Sequence, residues 1–538
     1  MMPKQKIYFA DLSHTAQGIS SPSFPLGISF VVSYAKQQFG HEYDFQLFKF
    51  PADLASAIQD EPPIMLCLSN YSWNFAIGYK IATLAKARDP DLVVVMGGPN
   101  FPIVSEEKVQ FLKQWPSLDF YVELEGELGF AHLLEQLSIY RFNVRKFKED
   151  HVTIRNTCYV EGDELVSGAV ERIHDVNVIP SPYLTGVLDQ FFNYTLIPML
   201  ETTRGCPFSC TFCADGVKIK SKIHRFDKER TREELYYIAR HVKKVDELII
   251  TDLNFAMYKE DLETANVIAE IKNKYKYPVL IGASAGKNKP KMVIDVAAVL
   301  DGSWTLGASI QSTDPEVLQA IKRSNISSAA YKELIDFGNK LKTGKTHTEI
   351  ILGLPGDSKQ KHFECLRFGI DNDVNNVRMY QAMLLVGTDM ATRATRETYG
   401  FITKFRTIPG CIGIYDFFGK QHPVAEIEEI IIGSKTLPVE DYLECRVMNL
   451  IVETFHNNAI FDEVFALLKT LGISRFDSLL YIKDHPELYT SKIVEIIEEF
   501  KRQTMVALYD SFDHANSYVL TPDVIERYVG GNWGSMSY

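Results

Sequence analysis

Over the first ~138 residues the chain alternates short apolar runs with amphipathic stretches. KIYFADL (6–12), YDFQLFKF (43–50), PIMLCLS (63–69), DLVVVMGG (91–98) and FYVEL (120–124) read as strands, and NFAIGYKIATLAKARD between them reads as a helix. Strands separated by helix-length segments predict parallel βαβ units, and five of them make a doubly wound, flavodoxin-like α/β sheet over 1–138. Ligands of such sheets sit at the carboxyl ends of the strands. Here those ends read AQG, SNYSWN and GGPNFP.

From 139 to 195 the pattern is that of a connector, with a hairpin in VTIRNTCYVEGDELVSGAV and an extended proline-bearing stretch, VIPSPYLTG. A second alternation begins at TLIPMLETTRGC and continues through DELIITD, YPVLIGAS, WTLGASIQS, HTEIILGLPG and NNVRMYQAML. In the helix REELYYIARHV, Leu235, Ile238, Ala239 and Val242 share one face. Repeated βα units predict a whole or partial barrel over 196–420. Beyond that the periodicity is helical, as in EDYLECRVMNLIVETF, which sets 421–538 apart as a helical C-terminal domain.

Composition narrows the class. Of 538 residues, 46% are hydrophobic and 23% charged, the balance of an ordered globular chain. The net charge of -12 argues against a dedicated nucleic-acid or anionic-membrane surface. No apolar run reaches the ~18 residues of a membrane span, and MMPKQKIYFADLSH lacks a long signal core, so the expected location is the cytoplasm. Five of the eight cysteines, Cys67, Cys158, Cys365, Cys411 and Cys445, are scattered singly, which fits a reducing compartment.

The other three crowd into RGCPFSCTFCADG, at the carboxyl end of a predicted barrel strand: Cys206, Cys210 and Cys213. Soft thiolates select zinc or iron and sulfur, and three of them leave a fourth coordination position open for a substrate. A structural zinc with a distant fourth ligand and three unrelated core cysteines are the alternatives. The C-x-x-x-C-x-aromatic-C spacing of Cys206, Cys210, Phe212 and Cys213 resembles the radical S-adenosylmethionine enzymes. The likeness continues in order through ELIITDLNF, GAS, LGASIQSTDPEVLQAIKRSN and EIILGLPG.

That resemblance implies that the three thiolates bind three irons of a 4Fe-4S cluster. The fourth iron is then left to S-adenosylmethionine, whose one-electron cleavage yields a 5'-deoxyadenosyl radical. By position it places Asp252 and Ser284 near the methionine or ribose part, and Gln311 and Ser312 near the ribose or carboxylate. Leu354 and its neighbours, with the main chain of Phe212, fall near the adenine.

A flavodoxin-like domain directly before such a barrel is similar to the cobalamin-binding members of the family. Ser69, Gly97, Gly98, Glu125, Gly126 and His14 are the candidate cobalamin contacts, with Tyr71 and Trp73 placed to flank a corrin or to pack an interface. DLSHTAQG departs from the D-x-H-x-x-G pattern of cobalt-ligating proteins, so cobalamin held without protein ligation is the expectation. The methylthiotransferase reading fails because the first domain has only Cys67 where three further cysteines are needed. Cys365, Cys411 and Cys445 are too widely spaced for a second cluster, and Arg393 and Arg396 are candidates to bind an anionic substrate group.

The implied activity is methyl transfer from cobalamin to an unactivated carbon of a small molecule, with a flavodoxin or ferredoxin as reductant. Radical cyclisation or rearrangement and a non-catalytic metal-binding scaffold are the competing readings.

Overall fold

The computed structural model describes residues 4–342 and 344–530. The tail 531–538 of the expected C-terminal domain lies outside the described residues, as do the first three residues of MMPKQKIYFADLSH. Five parallel strands, β1 (Gln5–Ala10), β2 (Tyr43–Phe48), β3 (Met65–Ser69), β4 (Val93–Gly97) and β5 (Phe120–Val122), build the first sheet in the order β2-β1-β3-β4-β5. β2 to β5 fall inside the runs expected from the sequence, and β1 starts one residue before its run, at Gln5. The inner strands are apolar on both sides because both faces are covered, while the edge strand β2 alternates, with Asp44 and Gln46 half-buried on one face. Ile7 and Phe9 enter one core with the helix Leu26–Phe39, while Tyr8 and Ala10 enter the other with the helices Pro51–Asp60 and Phe75–Arg88.

The sheet does not stop near 138. β6 (Thr157–Glu161) and β7 (Glu164–Ser167) join the free edge of β5 as antiparallel strands, making seven. The hairpin expected in a separate connector is therefore part of this sheet, and the boundary at 138 cuts through the unit. Cys158 and Tyr159, fully buried on opposite faces, hold the added strand there.

The second unit is a curved sheet of parallel strands, the partial barrel expected. β8 (Met199–Leu200) pairs with β11 (Glu247–Phe255), and β11 with β12 (Leu280–Ala285). Between β8 and β11 the short β9 (Thr203–Arg204) and β10 (His224–Arg225) pair antiparallel. A parallel bridge from Ile281 to Trp304 joins β12 to β13 (Leu306–Gly307), which continues through β14 (Thr346–Leu352) to β15 (Asn376–Gln381).

Beyond β15 lies an element that sequence periodicity did not reveal. β16 (Ile402–Phe417) and β17 (Lys420–Gly433) form a long hairpin, attached to the barrel by the bridge between Met383 and Ile430. Its strands are interrupted by a register shift between Thr407 and Ile412, around Pro409 and Gly410, and this break masks the alternation. At its far end Tyr415, Phe417 and Val424 enter the second core of the first sheet, so the hairpin ties the barrel to that sheet. The helical region consequently starts at Val439, not at 421. No described helix is long and apolar enough to cross a membrane.

Candidate functional site

The three-cysteine loop leaves β9 at Arg204. Gly205 follows with φ +108, and a Cβ there would lie 2.5 Å from the Lys222 carbonyl oxygen, so only glycine fits the turn. The Cys206 amide donates to the Lys220 carbonyl at 3.0 Å, the Cys213 amide to Cys210 at 3.1 Å and the Gly216 amide to Cys213 at 2.9 Å, which coils the loop on itself. Asp252 of β11 pins its base: the carboxylate accepts from the Thr202 amide at 2.7 Å, the Thr203 amide at 3.1 Å and the Thr202 hydroxyl. Burial pushes Asp252 up to about 7 against these three bonds.

Beside the loop lies a cavity of about 210 Å³. Of the residues expected at the site, Cys206, Phe212, Cys213, Ser284 and Gln311 line it. Cys210 sits in the same loop, buried, with the Arg323 guanidinium beside it. Asp252, Ser312 and Leu354 do not reach the cavity wall. The Ser312 hydroxyl accepts from the Asp314 amide at 3.2 Å, and Leu354 is packed with Val317, Ile321 and Met390 against Phe212.

Three further residues belong to the site. Asn254 Nδ2 donates to Cys206 Sγ at 3.3 Å. Arg323 lines the cavity, its Nε donating to Asn325 Oδ1 at 3.0 Å; burial lowers its pKa, and Cys210 first among its neighbours opposes the shift. Glu349, also on the wall, accepts from the Ser309 hydroxyl at 2.6 Å. Asn254 stands two positions from Asp252 on the same strand face, a signal the motif ELIITDLNF carried. Arg323 lies inside the matching stretch LGASIQSTDPEVLQAIKRSN but is returned to the cavity only by the helix Pro315–Ala320.

The donor set is tested by its own chemistry: three thiols of one loop can be spread over several irons of a cluster. Gln311 Oε1 and Asn254 Oδ1 are buried without a partner, and a buried acceptor left unpaired asks for a donor from a ligand. Thiols, the unpaired Gln311 acceptor and a guanidinium around one cavity, with Asn254 behind Cys206, fit a cluster with an amino-acid-bearing nucleotide on it.

At the carboxyl end of the first sheet the expected contacts divide. His14 is fully buried, with Nδ1 2.8 Å from the Tyr415 hydroxyl and Nε2 3.1 Å from Glu426, so both ring nitrogens are occupied by the hairpin and neither faces a ligand. Glu125 is likewise engaged, by Arg172 Nε at 2.6 Å and the Ile173 amide at 2.5 Å. Ser69 donates to Asp11 Oδ1 at 2.5 Å. Gly98 has φ +134, and a Cβ there would lie 2.5 Å from the Asn70 carbonyl oxygen; Gly97 and Gly126 also abut protein, at Val122 and Val31. These glycines let neighbouring backbone and helices close up.

Past β3, Tyr71 and Trp73 stack with ring centroids 4.4 Å apart, and Trp73 is 38% exposed. An exposed aromatic stack at that strand end fits the flat apolar face of a corrin. Arg396 and Arg393 are committed elsewhere, Arg396 to Glu429 at 2.6 and 2.7 Å and Arg393 to Glu397 at 2.7 Å. Cys365, Cys411 and Cys445 lie on separate elements.

Residues 200–368 match the Radical SAM superfamily model, and residues 18–134 match that of the B12 binding domain. The chain is 30% identical over 498 residues to the cobalamin-dependent radical SAM methyltransferase TokK of Streptomyces tokunonensis, covering 88% of this chain and 68% of that one. It is 31% identical over 475 residues to the 2-(S-pantetheinyl)-carbapenam-3-carboxylate methyltransferase of Streptantibioticus cattleyicolor, covering 84% and 65%. The chain thus spans about two thirds of the length of each relative. The solved structure of the cobalamin-dependent S-adenosylmethionine radical enzyme OxsB superposes with a TM-score of 0.59 at 12% identity, over 99% of this chain and 84% of that one, which shows a shared fold.

Proposed function

This chain belongs to the cobalamin-dependent radical S-adenosylmethionine methyltransferases, and from that footing we propose that it methylates an unactivated carbon of a small molecule. Its cofactors are a 4Fe-4S cluster, S-adenosylmethionine and cobalamin. When bound, the cluster supplies the electron that cleaves S-adenosylmethionine, and cobalamin carries the methyl group.

The chain's own residues take the following roles in this reading. Cys206, Cys210 and Cys213 ligate iron. Asn254 orients the Cys206 thiolate through its N–H, and a hydrogen bond to an anionic sulfur both fixes and stabilises it. Arg323 holds a carboxylate of the cavity ligand, for which a guanidinium fork is suited. Gln311 accepts from a ligand hydroxyl through its unpaired Oε1, and Ser284 offers a second polar contact. Trp73 presents a flat face to the corrin, and His14 leaves cobalt without a protein ligand. A flavodoxin or ferredoxin delivers the electron.

One observation carries the reading: the thiols of Cys206 and Cys213, the unpaired amide oxygen of Gln311 and the buried Arg323 guanidinium meet at one cavity, with Cys210 in the same loop beside that guanidinium. Methyl transfer is preferred to cyclisation because relatives matched over more than four fifths of this chain are methyltransferases. The test is reconstitution without oxygen, with iron and cobalamin assays and measurement of 5'-deoxyadenosine and of a one-methyl mass gain on candidate small molecules. A protein that loads iron yet releases no 5'-deoxyadenosine under reductant overturns the proposal.

A further inference from the structure

The tripeptide Glu125-Gly126-Glu127 stands at the carboxyl end of β5, and its two carboxylates reach both ends of the cysteine loop. Upstream, Arg204 Nη1 donates to Glu127 Oε1 at 2.9 Å, while its other nitrogens fork onto Glu201 at 3.2 and 3.0 Å. Arg204 is two residues from Cys206. Its guanidinium also lies over Phe30 and Phe226, at 5.3 and 5.8 Å from the ring centroids. Phe30 belongs to the first sheet's helix and Phe226 to the barrel, and the two rings stack on each other at 5.5 Å.

Downstream, Glu125 holds Arg172 Nε at 2.6 Å, and Arg172 Nη1 donates to the carbonyls of Ile219 at 3.4 Å and Lys222 at 3.2 Å. That segment is the one on which the Cys206 amide rests, through Lys220. Glu127 is 3% exposed and Arg204 15%; Glu125 is 6% exposed and Arg172 8%. Two separate ion pairs, both shielded from solvent, thus converge from one tripeptide on one loop. A surface decoration does not take this form: exposed pairs are worth little, whereas here Arg204 is shared between Glu127 and Glu201, and Glu125 takes both Arg172 and the Ile173 amide, each arrangement shielded from solvent.

We propose that Glu125 and Glu127 are positioning residues that clamp the cysteine loop to the ligand end of the first sheet, so that occupancy of that sheet is felt at the thiols. The proposal rests on the reading that the loop holds a cluster and the sheet holds cobalamin. No acid, base or electron is asked of either glutamate. Their work is to set the distance and mutual orientation of two cofactors that the fold carries on different units. Coupling of this kind is reciprocal: if cobalamin orders the loop, loop order strengthens cobalamin binding by the same factor.

The experiment uses the full chain loaded with cluster and cobalamin, as wild type, Glu127→Gln and Glu125→Gln. Iron and cobalamin are counted first; a wild type that loads neither contradicts the site assignment itself and not the clamp. The microwave-power saturation of the cob(II)alamin EPR signal is then recorded with the cluster oxidised and reduced. The expected result is relaxation enhancement by the reduced cluster in wild type, and its loss or marked broadening in variants that carry wild-type amounts of both cofactors. Unchanged enhancement in such variants overturns the proposal. Hydrogen exchange of wild type with and without hydroxocobalamin serves where a variant fails to load: slower exchange over 205–222 on adding hydroxocobalamin supports the clamp, and no change there refutes it.

Discussion

Replacing Gln311 by methionine separates the demands of folding from those of the ligand. Gln311 is 8% exposed, sits in the left-handed region at φ 59, and leaves Oε1 buried without a partner. Its backbone is already used, the amide donating to Glu349 at 2.8 Å and the carbonyl accepting from Ile351 at 3.1 Å, so the side chain is the only part changed. Methionine has nearly the same volume and bears the same left-handed cost. Removing an orphaned buried acceptor recovers about 1–3 kcal/mol of desolvation. With imperfect packing of the thioether set against it, the ligand-free variant is expected to be about 1 kcal/mol more stable locally. The ligand loses one hydrogen bond, about 0.5–1.5 kcal/mol, or roughly 2- to 12-fold in Kd. Hydrogen exchange of peptides covering 306–312 and 346–352 reads the first effect, and anaerobic equilibrium dialysis of S-adenosylmethionine against reconstituted protein reads the second. A variant that is less protected and binds as tightly as wild type refutes the reasoning.

Other consequences follow from the same geometry. Cys210→Ala is expected to keep the far-ultraviolet circular dichroism of wild type while losing cluster iron and all 5'-deoxyadenosine release. Glu426→Ala strips the acceptor from the amides of Ala76 and Ile77, now at 2.8 and 3.0 Å, and from His14, at a cost of about 2–5 kcal/mol; Glu426→Gln costs less, and exchange of the helix Phe75–Arg88 measures both. Acid sensitivity has a definite sign. Burial lowers His347, His362 and His456 to about 4, so below about 6.5 the unfolded chain takes up protons that the native state refuses, and stability falls as pH drops towards 4. Asp252 and Asp357, raised by burial to about 7, act oppositely across about 4 to 7 by keeping protons that the unfolded chain releases. Glu127 and Glu234, also raised by burial, add to the carboxylate side, so the histidine effect is read by difference: the urea midpoint of His362→Gln should gain less, relative to wild type, from pH 4.5 to 6.5.

Much of this architecture was legible because its signals are local. The inner strands β3, β4 and β5 of the first sheet are buried on both faces and read as apolar runs, the edge strand β2 reads as an alternation, and a cysteine loop announces itself by spacing alone. What escaped depends on partners distant in sequence. The strands 157–167 look like an independent hairpin until the free edge of β5 claims them, and the 402–433 hairpin hides its period behind Pro409, Gly410 and a row of glutamates. Arg323 was invisible as a site residue because an arginine in a polar helix tail normally faces water. His14 reads as a cobalamin contact because nothing near it in sequence reveals that Tyr415 and Glu426, some four hundred residues on, take both its nitrogens. Glu125 reads as a cofactor contact from sequence, whereas the arginine partners of Glu125 and Glu127 place both between the two units.

The most direct test of the account is EPR of the anaerobically reconstituted and reduced protein, recorded before and after adding S-adenosylmethionine. The account requires a reduced 4Fe-4S signal whose g-values move when the sulfonium compound arrives, because one iron has no protein ligand. Zinc in place of iron, or a cluster signal indifferent to the addition, would contradict it.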